Sequence, residues 1–176
     1  MTTAFHGALA AAGRAPEITD DQDVYGWLVG SWRLEVQHYA GVDVRARGIA
    51  GELHAGWVLE GRAVQDVWIM PHRPDRTRPI EDGANMYGTT LRVWDATLGA
   101  WRITWTNPAR DHHEQQIGRR SGTDIVQLGV RANGTATRWR FTEISPASFH
   151  WLGHALELDG TTWRLEGEFI AHRVDR

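Results

Sequence analysis

The sequence predicts an all-β fold: a single closed antiparallel up-and-down β-barrel of about ten strands, with a short N-terminal helix. Three observations lead there. From Trp27 onward apolar and polar residues alternate with period two, the pattern of half-buried strands. Turn dipeptides such as Ser121-Gly122, Asn133-Gly134 and Asp159-Gly160 interrupt that alternation at short intervals. No helical stretch of about 10–15 residues separates the strands, which disfavours βαβ units and leaves a barrel or a sandwich.

Residues 1–19 read as a flexible lead-in and residues 20–176 as the barrel domain. Asp20-Asp21-Gln22-Asp23 resembles an acidic helix start, and Val24, Tyr25, Trp27 and Leu28 follow at roughly helical spacing, so a short helix is expected there, ending at Gly30. Strands are then expected over Ser31–Tyr39, Val44–Ala55 and Leu59–Met70, the last two separated at Gly56-Trp57. Pro71, Pro74 and Pro79 make residues 71–84 a loop, because proline cannot donate to a ladder. Further strands follow over Asn85–Trp94, Ala100–Asn107, His112–Arg120, Asp124–Arg131, Thr135–Ile144, Ser148–Leu156 and Thr161–His172.

Composition excludes several chemistries. The 176 residues contain no cysteine, so disulfides and thiolate ligands are absent. All 19 basic residues are arginine, which removes Schiff-base chemistry and a phosphate-loop lysine. A net charge of −3 gives no reason to expect nucleic acid or a membrane as partner. The N-terminus lacks the basic start and apolar run of a secretory signal, so a cytoplasmic protein is expected. Ten Trp beside 4 Phe and 3 Tyr suit either a bulky core or a wide cavity with apolar walls that can still orient a ligand.

Gly30-Ser31-Trp32 resembles the Gly-x-Trp that opens lipocalin-type barrels, whose tryptophan plugs the closed end. The run from Gly56 to Trp68, the stretch Tyr87 to Asp95, Trp101-Arg102-Ile103-Thr104-Trp105 and Thr162-Trp163-Arg164-Leu165-Glu166 extend the likeness from Tyr25 to Arg173. Together they are similar to a bacterial lipocalin-like, calycin-type β-barrel family. The resemblance implies the fold and an enclosed small molecule, and carries no activity. The haem-binding nitrobindin barrels open on a motif like Gly-x-Trp-x-Gly; Leu34 stands at the second glycine here, and no cofactor is expected.

In a small barrel, residues i, i+2 and i+4 share a face. The apolar sets expected inside are Val64, Asp66, Trp68 and Met70; Trp101, Ile103, Trp105 and Asn107; Trp139, Phe141 and Glu143; Phe149, Trp151 and Gly153; and Trp163, Leu165, Gly167 and Phe169. Alternation is ambiguous over Asn85–Trp94: one phase turns Arg92 inward towards Asp66 or Glu143, and the other leaves it on the surface, as general burial tendencies favour. An inward Asp66 and Glu143, walled by Trp68, Trp105 and Trp151, would hold one carboxyl protonated and one ionised, a setting for proton transfer. The same carboxylates could instead cap arginines and fix barrel register.

The other chemistries are poorly supplied. His112 and His113 are adjacent and face opposite ways, while His150 and His154 lie about 13 Å apart along a strand. A cross-strand metal site would need His38, His54 and one of the later pair. No Gly-x-Ser-x-Gly elbow and no glycine-rich phosphate loop is present.

Two readings remain. The first is a cofactor-independent acid–base enzyme of cyclase, isomerase or hydratase type, with Asp66 and Glu143 catalytic and Trp68, Trp105, Trp151, Arg92, Asn107 and Phe141 holding a hydrophobic metabolite. The second is a non-catalytic carrier for a hydrophobic small molecule. An outer row of aromatics including Trp57 or Trp94 would support a homodimer.

Overall fold

The structure is a computed structural model that describes residues 3–76 and 85–174. A short helix, α1 (Ala4–Leu9), precedes strands β1 (Gly30–Tyr39), β2 (Val42–Asp43), β3 (Ala50–Val58), β4 (Ala63–Met70), β5 (Met86–Asp95) and β6 (Ala100–Asn107). The chain continues through β7 (His112–Ser121), β8 (Asp124–Val130), β9 (Ala136–Thr142), β10 (Ser148–Leu156) and β11 (Trp163–Arg173). Strands β3 to β11 each pair antiparallel with the next, β1 pairs with β3, and β11 returns to β1, so ten strands close into an up-and-down barrel. The two-residue β2 pairs only with the end of β1. Of the loop expected over 71–84, residues 77–84 lie outside the described residues. No helix among the described residues is long and apolar enough to cross a membrane.

The expected helix before Gly30 is a single 3-10 turn, Gly26–Leu28. Asp23 accepts from the Gly26 N–H at 2.7 Å, and Gly30 already takes φ 132°, leaving room for one turn before the strand begins. The break expected at Gly56-Trp57 falls at Leu59-Glu60-Gly61, whose φ values are 52°, 58° and 82°. The N-terminal segment reaches this hairpin. Ala11 N–H donates to the Trp57 carbonyl at 2.9 Å and Ala15 N–H to that of Gly61 at 3.0 Å. A side chain at Gly61 would overlap the Gly13 carbonyl and Ala15 N, so the contact requires glycine there.

Trp32 is fully buried at one end of the barrel, and its Nε1–H donates to the Leu28 carbonyl at 2.8 Å. Arg173, at the end of β11, lies 4.0 Å from the centre of the Trp32 ring. Its guanidinium donates to the carbonyls of Trp27, Val29 and Pro146 at 2.8, 2.9 and 2.6 Å. The first and last strands are thus pinned to the turn that covers this end. Tyr25, Trp27, Phe141 and Phe149 fill the space above it in edge-on contacts. Such packing suits aromatic quadrupoles better than face-to-face sandwiches.

Two expectations about the inner face are corrected. Glu143 follows the last residue of β9 and adopts φ 53°, which breaks the alternation and leaves its side chain 78% exposed. Trp163 and Leu165 face outward, because Glu166 is an extra residue in β11 opposite the Gly153–His154 step and shifts the β10–β11 register. Arg138 covers the outer Trp163 ring at 4.4 Å. Of the aromatics named for a homodimer surface, Trp57 is buried and Trp94 is half-buried against Trp101, so they form no exposed row.

Candidate functional site

At the other end from Trp32 the barrel holds a chamber of about 90 Å³, lined chiefly by Trp68, Trp105, Trp139, Trp151, Phe169 and Arg92. Thr90, Gln116 and Gln127 add polar groups to its wall, and Tyr39, Asn107, His112 and Trp139 border both the chamber and a wider vestibule of about 490 Å³. Trp139 and Trp151 stack at 4.5 Å with planes 16° apart, and Trp68 leans on Trp151 at 4.9 Å. Two interior glycines give these rings their place. A Cβ at Gly153 would overlap the Trp139 ring, and one at Gly88 would overlap Trp105. Glycine within a strand weakens it but admits a close neighbour.

Asp66 and Arg92 face each other inside the wall. The Arg92 guanidinium donates to Asp66 Oδ2 at 2.6 Å, Thr90 N–H donates to Oδ1 at 3.0 Å, and neither charged side chain is more than 2% exposed. Arg92 also lies over the Tyr25 ring at 5.0 Å. Burial pushes the Tyr25 hydroxyl pKa up; neighbouring Arg92 opposes this and Asp66 adds to it. The inward phase of β5 therefore holds, and the surface placement of Arg92 does not. Its partner is Asp66 rather than Glu143.

A second polar cluster, which the sequence reading missed, centres on Glu114. Its Oε1 accepts from Gln116 Nε2 at 2.7 Å, Thr137 Oγ1 at 2.5 Å and Trp139 Nε1 at 3.0 Å. Its Oε2 lies 3.4 Å from both Arg131 Nε and His112 Nε2. Burial pushes this carboxyl up, but contacts from His112, Thr137, Gln116 and Trp139 outweigh it and hold the pKa at about 2. Arg131 continues to Glu166 through two hydrogen bonds of 3.1 and 2.5 Å. A chain of amides links the two clusters: Tyr25 Oη donates to Gln127 Oε1 at 3.1 Å, and Gln127 Nε2 donates to Gln116 Oε1 at 2.8 Å.

Among the residues singled out from sequence, Trp68, Trp105, Trp151, Arg92 and Asn107 all border the chamber. Phe141 lies deeper, buried against Tyr25, Trp27 and Trp151. Asp66 is engaged behind Arg92, and Glu143, being outside, shares no cavity with it. Glu114 escaped notice because β7 is polar on both faces: His112, Glu114 and Gln116 alternate with His113 and Gln115. Its only signal was position, directly opposite inward Trp105 in the next strand. Among the described residues, no group of three His, Asp or Glu could hold a metal, so the His38 and His54 site does not assemble.

No protein-family model matches this chain, and no curated protein matches it.

Proposed function

We propose that this chain is a lipocalin-like binding protein for a small, largely apolar molecule carrying an aromatic ring, held in the tryptophan-walled chamber. The observation that carries the reading is the wall itself: four indoles and Phe169 converge on one interior space. Sites of this make-up, mostly aromatic with a few placed polar groups, are the usual form of small-molecule pockets. The Gly30-Ser31-Trp32 opening and the Arg173 guanidinium over Trp32 support the lipocalin-like assignment. A buried cavity of about 150 Å³ admits benzene. At about 90 Å³ the chamber is smaller than that, so a ring seated between the indoles would itself reach into the vestibule.

The acid–base reading loses its named pair, since Asp66 is committed to Arg92 and Glu143 is outside. One observation favours a catalytic alternative at another place. His112 borders the chamber with Nε2 3.4 Å from the ionised Glu114 carboxylate, the arrangement of a histidine base with an orienting acid.

Ligand-observed NMR with a library of one-ring fragments tests the binding reading. Saturation transfer to aromatic fragments is expected with the native chain and is expected to be lost in Trp105→Ala and Trp139→Ala. Absence of transfer to any aromatic fragment at millimolar concentration, or transfer unchanged in both variants, overturns it. The catalytic alternative requires turnover of a bound compound that His112→Gln abolishes without weakening binding.

A further inference from the structure

We infer that the chamber selects a neutral ring compound bearing a hydrogen-bond acceptor, such as an aryl ketone or amide, over hydrocarbons, carboxylates and ammonium ions. The inference rests on the binding reading above and names the ligand class of the same site. Its first ground is a surplus of donors. Arg92 Nε and Trp151 Nε1 belong to chamber-lining residues, are buried, and have no hydrogen-bond partner among the described residues. A buried donor left unmade is costly, so the site gains from a ligand atom that accepts.

Most acceptors of the same wall are already used, and His112 Nε2, which has no hydrogen-bond partner, lies 3.4 Å from the Glu114 carboxylate, which favours the tautomer with a proton there rather than a lone pair. Gln116 Oε1 takes Gln127 Nε2, and Gln127 Oε1 takes the Tyr25 hydroxyl. Glu114 Oε1 takes three donors, and Asn107 Oδ1 takes the Tyr87 N–H at 3.4 Å. A ligand that donates finds little to bind.

The second ground is charge. Arg92 is neutralised by Asp66, so it offers an N–H without a free positive charge to attract an anion. A carboxylate in the chamber would lose its hydration and find no uncompensated cation in the wall, since Arg92 is held by Asp66. A cation would find aromatic faces, which attract it. It would also lie beside the guanidinium of Arg92 and the unpaired N–H of Trp151, whose positive hydrogens oppose it. Glu114, which could attract it, is ringed by its own donors and by Arg131. Neutrality with an acceptor is what fits both grounds.

Calorimetric titration of the full chain with four one-ring probes of similar size tests this: acetophenone, ethylbenzene, benzoate and benzylammonium. Acetophenone is expected to bind about tenfold more tightly than each of the others, the effect of one or two buried hydrogen bonds. Trp151→Phe, which keeps a ring and removes the N–H, is expected to lower the ratio of acetophenone to ethylbenzene affinity, both measured on that variant, by about fivefold, and an undiminished ratio overturns the inference. If ethylbenzene, benzoate or benzylammonium matches or exceeds acetophenone, the inference falls while aromatic binding stands. If none of the four binds, the binding reading falls and takes this inference with it.

Discussion

Asp66 on β4 and Arg92 on β5 form a 2.6 Å ion pair that neither side chain shares with solvent. Asp66 stands behind Arg92, which borders the chamber, and holds the Arg92 fork against Tyr25. Removing one partner leaves a buried charge uncompensated. Arg92→Met is therefore expected to destabilise the fold by about 3–5 kcal/mol, read by urea unfolding. Adding Asp66→Asn, which can still accept from Thr90 N–H, should recover part of that loss. A single variant within about 1 kcal/mol of the native chain would show the pair to be dispensable.

Glu114 gives the fold a pH dependence of known sign. Its pKa falls from 4.5 to about 2 on folding, so the unfolded chain binds the proton more readily. Its contribution is complete above pH 4.5, declines as pH falls towards about 2, and is gone below that. The stability difference between the native chain and Glu114→Gln should be constant near neutrality and shrink across that acid window. A difference that stays flat down to pH 2 contradicts the assignment.

Gly153→Ala is expected to displace Trp139, because the added methyl overlaps its ring. Overpacking of this kind costs about 1–3 kcal/mol. The coupled Trp139–Trp151 signal in near-ultraviolet circular dichroism should weaken with it, since the stacked geometry depends on that glycine. An unaltered spectrum would mean the ring is accommodated elsewhere.

Arg173 serves three carbonyls and one indole face at once. Arg173→Lys keeps the charge but loses the planar fork, and is expected to recover little of the roughly 2–4 kcal/mol lost in Arg173→Ala. Thermal unfolding of the two variants separates a role in hydrogen bonding from one in charge alone.

The barrel was legible because period two runs through strands of ordinary length, and Ala100–Asn107 and Ser148–Leu156 match their expected bounds residue for residue. Legibility failed where a local backbone feature overrode alternation. The positive φ of Glu143 and the bulge at Glu166 each reversed a face, and neither has a distinctive residue type to announce it. Arg92 was ambiguous because both phases of β5 mix polar and apolar residues; tertiary pairing with Asp66 decides it. The Glu114 cluster was invisible for the related reason that a polar strand facing a polar interior has no periodicity to detect.

Arg173 has a consequence for the order in which this molecule comes into being. Its bonds to Trp27 and Val29 span 146 and 144 residues of sequence, and β11 must arrive before β1 has its second neighbour. Contacts so distant along the chain form late and slowly. During synthesis Trp151 and Trp68 can exist as parts of separate hairpins, but the room between them is not enclosed until β11 has emerged and paired with β1. Ligand capture then reports a closed barrel, and a compound that fits the chamber should act only on that last pairing.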